Sequence, residues 1–142
     1  MRRPTVANSG LLLQEFAPDN DGDHRVTIIG ERGFYFKRSN RPGDFRASGS
    51  GLFDYDPDSA PWNLIERSFA ISRRFGFSMM AYDYLTNPRP LLVEMNYAAV
   101  GAPIAAAPGY FTPDGTFVSH DNRPPQWYQL TDFLRLSDLE VP

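Results

Sequence analysis

The chain has no cysteine, which excludes disulfides, thiolate metal sites and a cysteine nucleophile and is compatible with a reducing cytoplasm. It has only two histidines, His24 and His120, far apart and without a second ligand at the usual spacing, so they make no metal pair and both read as surface residues. No apolar run approaches the ~20 residues that cross a bilayer, and Met1-Arg2-Arg3 is not followed by a signal-peptide core. The expectation is a soluble, cytoplasmic protein. An excess of charge of one sign is missing too: 14 Lys and Arg stand against 17 Asp and Glu, so bulk electrostatics recommends neither nucleic acid nor an anionic membrane as a partner. P-loop, dinucleotide fingerprint, G-x-S-x-G elbow and internal repeat are likewise absent.

What is there suits one folded domain. The 142 residues are 42% hydrophobic and 14% aromatic, enough for a single core but short for an enzyme with two substrates. Residues 1–10 are polar and without period and read as a flexible tail. The apolar run 11–16, closed by Pro18, predicts a strand ending at about Ala17. After an acidic turn at 19–23, the β-branched run 25–29, a Gly-containing turn and the aromatic run 34–38 predict an antiparallel hairpin. Residues 39–56, rich in Gly, Ser and Arg, predict a mobile loop with a brief strand at Leu52-Phe53. A helix is expected over 58–75, capped by Asp58 or Ser59, with Pro61 in its first turn and Gly76 as its stop. Leu64, Ile65, Phe69, Ile71 and Phe75 would form its apolar side. Residues 98–108 are small and helical only in pieces, 109–125 read as irregular, and 126–136 place Trp127, Leu130, Phe133 and Leu134 at helical spacing. The fold class is α+β: an antiparallel sheet of five or six strands with one packed helix and a C-terminal helix.

Residues 78–97 carry polar side chains where a core hairpin would place hydrophobes. Glu94 and Asn96 lie two apart on a strand and so share a face, roughly 7 Å from each other. Across the Pro-rich turn, Tyr82 and Tyr84 share one face and Ala81, Asp83 and Leu85 the other. If the turn holds an even number of residues, Asp83 joins Glu94 and Asn96, and two carboxylates with an amide oxygen converge. Such a set repels itself unless a hard cation such as Mg²⁺ fills it. The competing reading puts Asp83 at a strand end near solvent and pairs Glu94 with an arginine. Elsewhere, the backbone at Gln14, Glu15, Phe16 and Ala17 is free to read the edge of a flat ring, with Asp23 placed to accept from sugar hydroxyls. Lys37, Arg38, Arg41 and Arg46 bracket a flexible loop suited either to phosphate or simply to water.

In this order the pieces resemble the C-terminal half of the ATP-grasp superfamily: the Gln14-Glu15-Phe16 strand end, Asp23-His24-Arg25, the basic hairpin leading into Gly43-Asp44-Phe45-Arg46, Met80-Ala81-Tyr82-Asp83 and Val93-Glu94-Met95-Asn96. The likeness is nearest to the ribosomal-protein S6 modification type of carboxylate–amine ligase and to related uncharacterised ATP-grasp proteins with a Gly-Asp-Phe-Arg-Ala-Ser-Gly-Ser-Gly loop. It implies ATP and Mg²⁺ (or Mn²⁺) as cofactors. Gln14, Glu15, Phe16 and Ala17 would hold adenine, Asp23 the ribose, and Arg25, Lys37 and Arg38 the nucleotide. Arg46 would reach the terminal or acyl phosphate, and Asp83, Glu94 and Asn96 would hold magnesium. The reaction implied is ligation of a carboxylate to an amine or thiol through an acyl-phosphate. Two departures stand out: Ala47-Ser48 replace the asparagine usual after the Phe-Arg pair, and nothing N-terminal of Leu11 could be the facing subdomain. The expectation is therefore that residues 11–142 are the C-terminal-half domain of a larger enzyme, whose missing half or a partner chain closes the cleft. As an isolated chain it would be inactive or weakly active and could self-associate through the exposed cleft face. A non-catalytic nucleotide-binding or protein-interaction module of the same ancestry is the alternative.

Overall fold

A computed structural model of the chain describes residues 13–119 and 123–134. Ten elements follow in order: β1 (Gly22–Ile29), β2 (Arg32–Ser39), β3 (Phe53–Asp54), α1 (Trp62–Phe75), β4 (Met79–Leu85), β5 (Leu91–Asn96), α2 (Gly101–Ala105), β6 (Gly109–Phe111), β7 (Phe117–Ser119) and α3 (Pro125–Leu134). The strands form one seven-stranded sheet in the order β5-β4-β1-β2-β6-β7, with β3 also paired to β2, and every pairing is antiparallel. The expected α+β class holds, with more strands than expected.

The β1–β2 hairpin forms where the β-branched and aromatic runs place it. Val26, Ile28 and Tyr35 of this hairpin, with Met80, Tyr82 and Tyr84 of β4, meet Leu64, Ile65 and Phe69 of α1 in the main core. Buried positions 64, 65, 68, 69 and 72 of α1 follow the helical period. Two of them are serines: Ser68 Oγ donates to the Leu64 carbonyl at 2.8 Å and meets the Tyr84 hydroxyl at 3.0 Å, and Ser72 Oγ meets the Tyr82 hydroxyl at 2.6 Å. The helix comes so close to β2 that a Cβ on Gly33 would lie 3.1 Å from the Phe69 ring. A second cluster joins Ile29, Phe34 and Phe36 on the opposite sheet face to Ile104, Ala107 and Tyr128. No helix among the described residues is long and apolar enough to cross a membrane.

Several expectations need correction. Residues 13–17 form no strand, and Leu13, Gln14, Glu15 and Phe16 are exposed; the outer edge of β2 is already shared by β3 and β6. The helix does not begin at 58. Asp56 accepts from the Asp58 amide and caps a single 3-10 turn at Pro57–Ser59, and Ala60, at ψ 122, stands just before Pro61. A residue preceding proline is pushed out of the helical region, so α1 waits until Trp62. Gly76 ends it in the left-handed conformation at φ 69, as expected. Phe75 is 63% exposed and stacks on Phe77 instead of joining the core. Residues 109–119 are not irregular: β6 and β7 make a hairpin whose turn is closed by Thr112 and Thr116, with Asp114 Oδ1 accepting from the Thr116 amide. The tail at 1–10, Leu11, Leu12, His120 and Leu136 lie outside the described residues.

Candidate functional site

The sheet face turned away from α1 has two unlike ends. In register it carries Asp23, Arg25, Thr27 and Ile29 of β1, Phe34, Phe36 and Arg38 of β2, Ala81 and Asp83 of β4, and Glu94 and Asn96 of β5. Ile29, Phe34 and Phe36 belong to the second apolar cluster, with Phe36 reaching across from Arg25. The other end is the polar set of Asp23, Arg25, Arg38, Asp83, Glu94 and Asn96. Thr27 stands between them, opposite Phe34 and Ala81. Its Oγ1 is the only buried side-chain nitrogen or oxygen without a hydrogen-bond partner among the described residues.

How β5 delivers Glu94 and Asn96 to this face depends on one residue. Leu85 pairs with Leu91, so the turn between them holds residues 86–90, an odd number. Continued regularly from Tyr84 opposite Leu92, the ladder would set Asp83 opposite Val93 and turn Glu94 toward α1. Instead the register shifts between Asp83 and Tyr84, and Asp83 lies opposite Glu94, Tyr82 opposite Met95 and Ala81 opposite Asn96. Val93 is the extra residue of a β-bulge. A one-residue shift flips every following side chain to the other face, and bulges re-aim side chains in this way. The three residues therefore share a face even though the turn is odd.

Asp83 is 3% exposed and is held by two arginines. Arg25 Nε donates to its Oδ1 at 2.6 Å and Arg25 Nη2 to its Oδ2 at 2.5 Å, while Arg38 Nη2 reaches Oδ2 at 2.7 Å. Arg38 also forks onto Asp23, its Nε donating to Oδ1 and its Nη2 to Oδ2, both at 2.6 Å. The result is a buried chain, Arg25–Asp83–Arg38–Asp23, with two charges of each sign. Burial disfavours the charged Arg38 guanidinium, but the hydrogen bonds and charges of Asp23 and Asp83 outweigh it and hold its pKa above the ordinary arginine value. Glu94 is exposed and makes no ion pair among the described residues. Asn96 Oδ1 accepts from the Ala98 amide at 2.8 Å, closing the end of β5.

The remaining candidates divide. Lys37, next to Arg38, points to the opposite face, stands across from His24 and binds Asp21 at 2.7 Å, so it does not join the polar set. Arg46 is exposed and paired within its own loop to Asp44; hydrogen bonding from Arg46 holds the Asp44 carboxyl down at about 2. Arg41 donates to the Ser48 carbonyl. Gln14, Glu15 and Phe16 make no backbone pairing, and the Phe16 ring meets Phe45 of the glycine-rich loop edge-on at 5.4 Å. Asn20, which sequence reasoning did not single out, ties this stretch to the β4–β5 turn. Its Nδ2 donates to the carbonyls of Ala17, Pro18 and Asn87, and its Oδ1 accepts from the amides of Thr86 and Asn87. An asparagine in an acidic turn is the signal that could have found it. His24 is half-buried, not on the surface, and its Nδ1 meets the Tyr35 hydroxyl at 2.9 Å. Burial, with Lys37 beside it, pushes the His24 pKa down, and burial pushes Tyr35 up to about 12.

The donor set suits a hard cation in part. All candidate donors are oxygens. Glu94 is free, and Asn96 Oδ1 keeps a lone pair beyond its one hydrogen bond. Of the roughly four lone-pair sites of a carboxylate, Asp83 has three taken by guanidinium N–H groups. No group of three or more His, Asp or Glu side chains gathers among the described residues, so water or a ligand would complete the coordination. No protein-family model matches the chain, and a search of curated proteins finds no similar one.

Proposed function

We propose that this domain binds Mg-ATP as the catalytic half of an ATP-grasp type ligase that joins a carboxylate to an amine or thiol through an acyl-phosphate. The observation that carries the reading is the shift of register at Val93, which sets Glu94 and Asn96 on the face of Asp83, beside Arg25 and Arg38. Glu94 and Asn96, with the open lone pair of Asp83, would hold magnesium, which offsets negative charge during phosphoryl transfer. Arg46, exposed on its loop and paired to Asp44, would exchange that carboxylate for a phosphate oxygen, since a guanidinium fork binds phosphate as readily as carboxylate. The backbone at residues 14–16, next to the Ala17 carbonyl that Asn20 ties to the β4–β5 turn, would offer N–H and C=O groups to an adenine edge. A facing subdomain, in this chain or a partner, would supply the opposite wall.

Calorimetry with Mg-ATP on the wild type and Glu94→Ala tests the reading. The wild type should bind and the variant should lose about tenfold or more, since a charge-assisted contact contributes roughly 1.5–3 kcal/mol. Binding that survives the substitution unchanged would overturn the site. The self-neutralised arginine–aspartate chain favours a second reading, a nucleotide-binding or protein-interaction module without turnover, because it is complete without any ligand. Nucleotide binding without ATP hydrolysis or transfer to any carboxylate, once the facing subdomain is supplied, would select that reading.

A further inference from the structure

Residues 13–18 are fastened to the rest of the fold by very little. Leu13, Gln14, Glu15, Phe16 and Pro18 are exposed and Ala17 is half-buried. Among the described residues, the only hydrogen bonds that reach this stretch come from one side chain, that of Asn20. Its Nδ2 has two N–H groups for three carbonyls, those of Ala17 at 3.3 Å, Pro18 at 3.1 Å and Asn87 at 3.0 Å, so one proton is shared and the stretch takes the longer bonds. Its Oδ1 accepts from the Thr86 and Asn87 amides at 3.2 and 3.0 Å. Asn20 thus gives the Asn87 backbone both a donor and an acceptor, as a residue of a neighbouring strand would. Asn87 answers with its own side chain, whose Nδ2 donates to the Asp19 carbonyl at 2.9 Å. The backbone of residues 20 and 21 is fixed separately: Asn40 Nδ2 donates to the Asn20 carbonyl at 2.7 Å, and the Asn40 amide donates to the Asp21 carbonyl at 2.9 Å. Between the loose stretch and this fixed point stands Asp19, at φ 60 in the left-handed region, which Asp tolerates better than most residues other than glycine.

We propose that residues 13–18 are a strap that hinges at Asp19 and is latched by the Asn20 side chain, opening and closing as a unit of its own while the sheet stays folded. The two ends of the side-chain amide do separate work. The carbonyl end fastens Asn20 to the β4–β5 turn, and the NH2 end holds the strap as well as the Asn87 carbonyl. When the strap is closed, the Phe16 ring rests on Phe45, so the strap joins the glycine-rich loop to the β4–β5 turn. When it opens, Phe16, already 62% exposed, gives up that ring contact, and the neutral bonds of Asn20 contribute little net resistance. Segments with so few buried contacts open locally, well below the free energy of global unfolding. The latch involves no metal, phosphate or nucleotide and stands apart from the nucleotide reading; where that reading holds, the adenine-facing backbone at 14–16 moves with the strap.

The test compares the full chain with Asn20→Asp and Asn20→Ala. Limited chymotrypsin cleavage after Phe16, followed by mass spectrometry, reads the strap, and hydrogen exchange at the Thr86 and Asn87 amides reads the β4–β5 turn. Cleavage that is slow relative to reclosing follows the population of the open strap. Aspartate keeps the two acceptor bonds and loses the donor ones. Asn20→Asp should therefore raise the cleavage rate about threefold to tenfold, the scale of one or two neutral hydrogen bonds, and change exchange at Thr86 and Asn87 by less than about twofold. Asn20→Ala loses both sets and should raise cleavage and exchange alike by about threefold to tenfold. In both variants the Val26 and Tyr82 amides, in the middle of the sheet, should exchange at the wild-type rate. Cleavage unchanged in both variants would overturn the latch. Exchange at Thr86 and Asn87 that rises as much in Asn20→Asp as in Asn20→Ala would overturn the separate work of the two ends. A parallel rise at Val26 and Tyr82 would overturn the strap as a unit of its own, since its opening would then belong to unfolding of the whole domain.

Discussion

Tyr82, Asp83 and Tyr84 are consecutive on β4, and one turn of the pleat separates two ways of burying polarity. On the α1 face the tyrosine hydroxyls meet Ser72 and Ser68 in neutral pairs. On the other face Asp83 meets two guanidiniums. A neutral pair asks little of its surroundings, and replacing both partners with apolar groups costs little. The ionic chain cannot lose one member without leaving a buried charge, although replacing the whole set with apolar residues can be neutral or stabilising. The two faces thus differ less in how much polarity they hide than in whether its members can be changed singly.

The sharpest way to break this contrast is Asp83→Ala, which should cost about 3–5 kcal/mol in urea unfolding. Replacing Asp23, Arg25, Arg38 and Asp83 together with apolar residues of similar volume should cost less than the single change. A larger loss in the quadruple variant would mean that the chain is a net stabilising element. Tyr82→Phe, the matching single change on the α1 face, should cost only about 1 kcal/mol. Thr27, at the border of the apolar and polar ends, should behave in the opposite sense. Its buried hydroxyl has no partner, so Thr27→Val should raise stability by about 1 kcal/mol.

The smallest effect concerns pH. Burial depresses the His24 pKa in the folded state, below the value of about 6.5 expected of the unfolded chain. Folding therefore favours the neutral ring. Its contribution is complete above the unfolded value and is lost as pH falls through the folded one. Stability should decline between pH 7 and 5, and His24→Gln should flatten part of that slope in denaturant titrations. An unchanged slope would assign the decline to other groups.

Much of this was legible in the residues, and the failures have physical causes. The β-branched run 25–29 and aromatic run 34–38 announce their hairpin, and Gly76 announces the end of α1, because these signals are local. The start of α1 is harder to read, because Asp58 and Ser59 resemble caps while the stronger constraint lies in Pro61 and its effect on Ala60. The β6–β7 hairpin has a turn signal in Pro113-Asp114-Gly115, but strands of three residues leave almost no alternating pattern. In the site, the shared face of Glu94 and Asn96 follows from their spacing. The arrival of Asp83 does not, since turn parity argues the wrong way and the bulge that reverses it has no signature in Leu92-Val93-Glu94. That Asp83 is held by arginines 58 and 45 positions away depends on strand order, which local pattern does not encode.

The bulge also separates two jobs that a hairpin normally joins. Ordinarily the length of the connecting turn fixes which side chains of the returning strand look inward, so an insertion or deletion there scrambles the whole strand. Here the facing of Glu94 and Asn96 is reset at Val93, downstream of the connection. The segment at residues 86–90 can therefore be lengthened, shortened or exchanged by descent or by design while the polar set keeps its frame, provided that Tyr84 still meets Leu92.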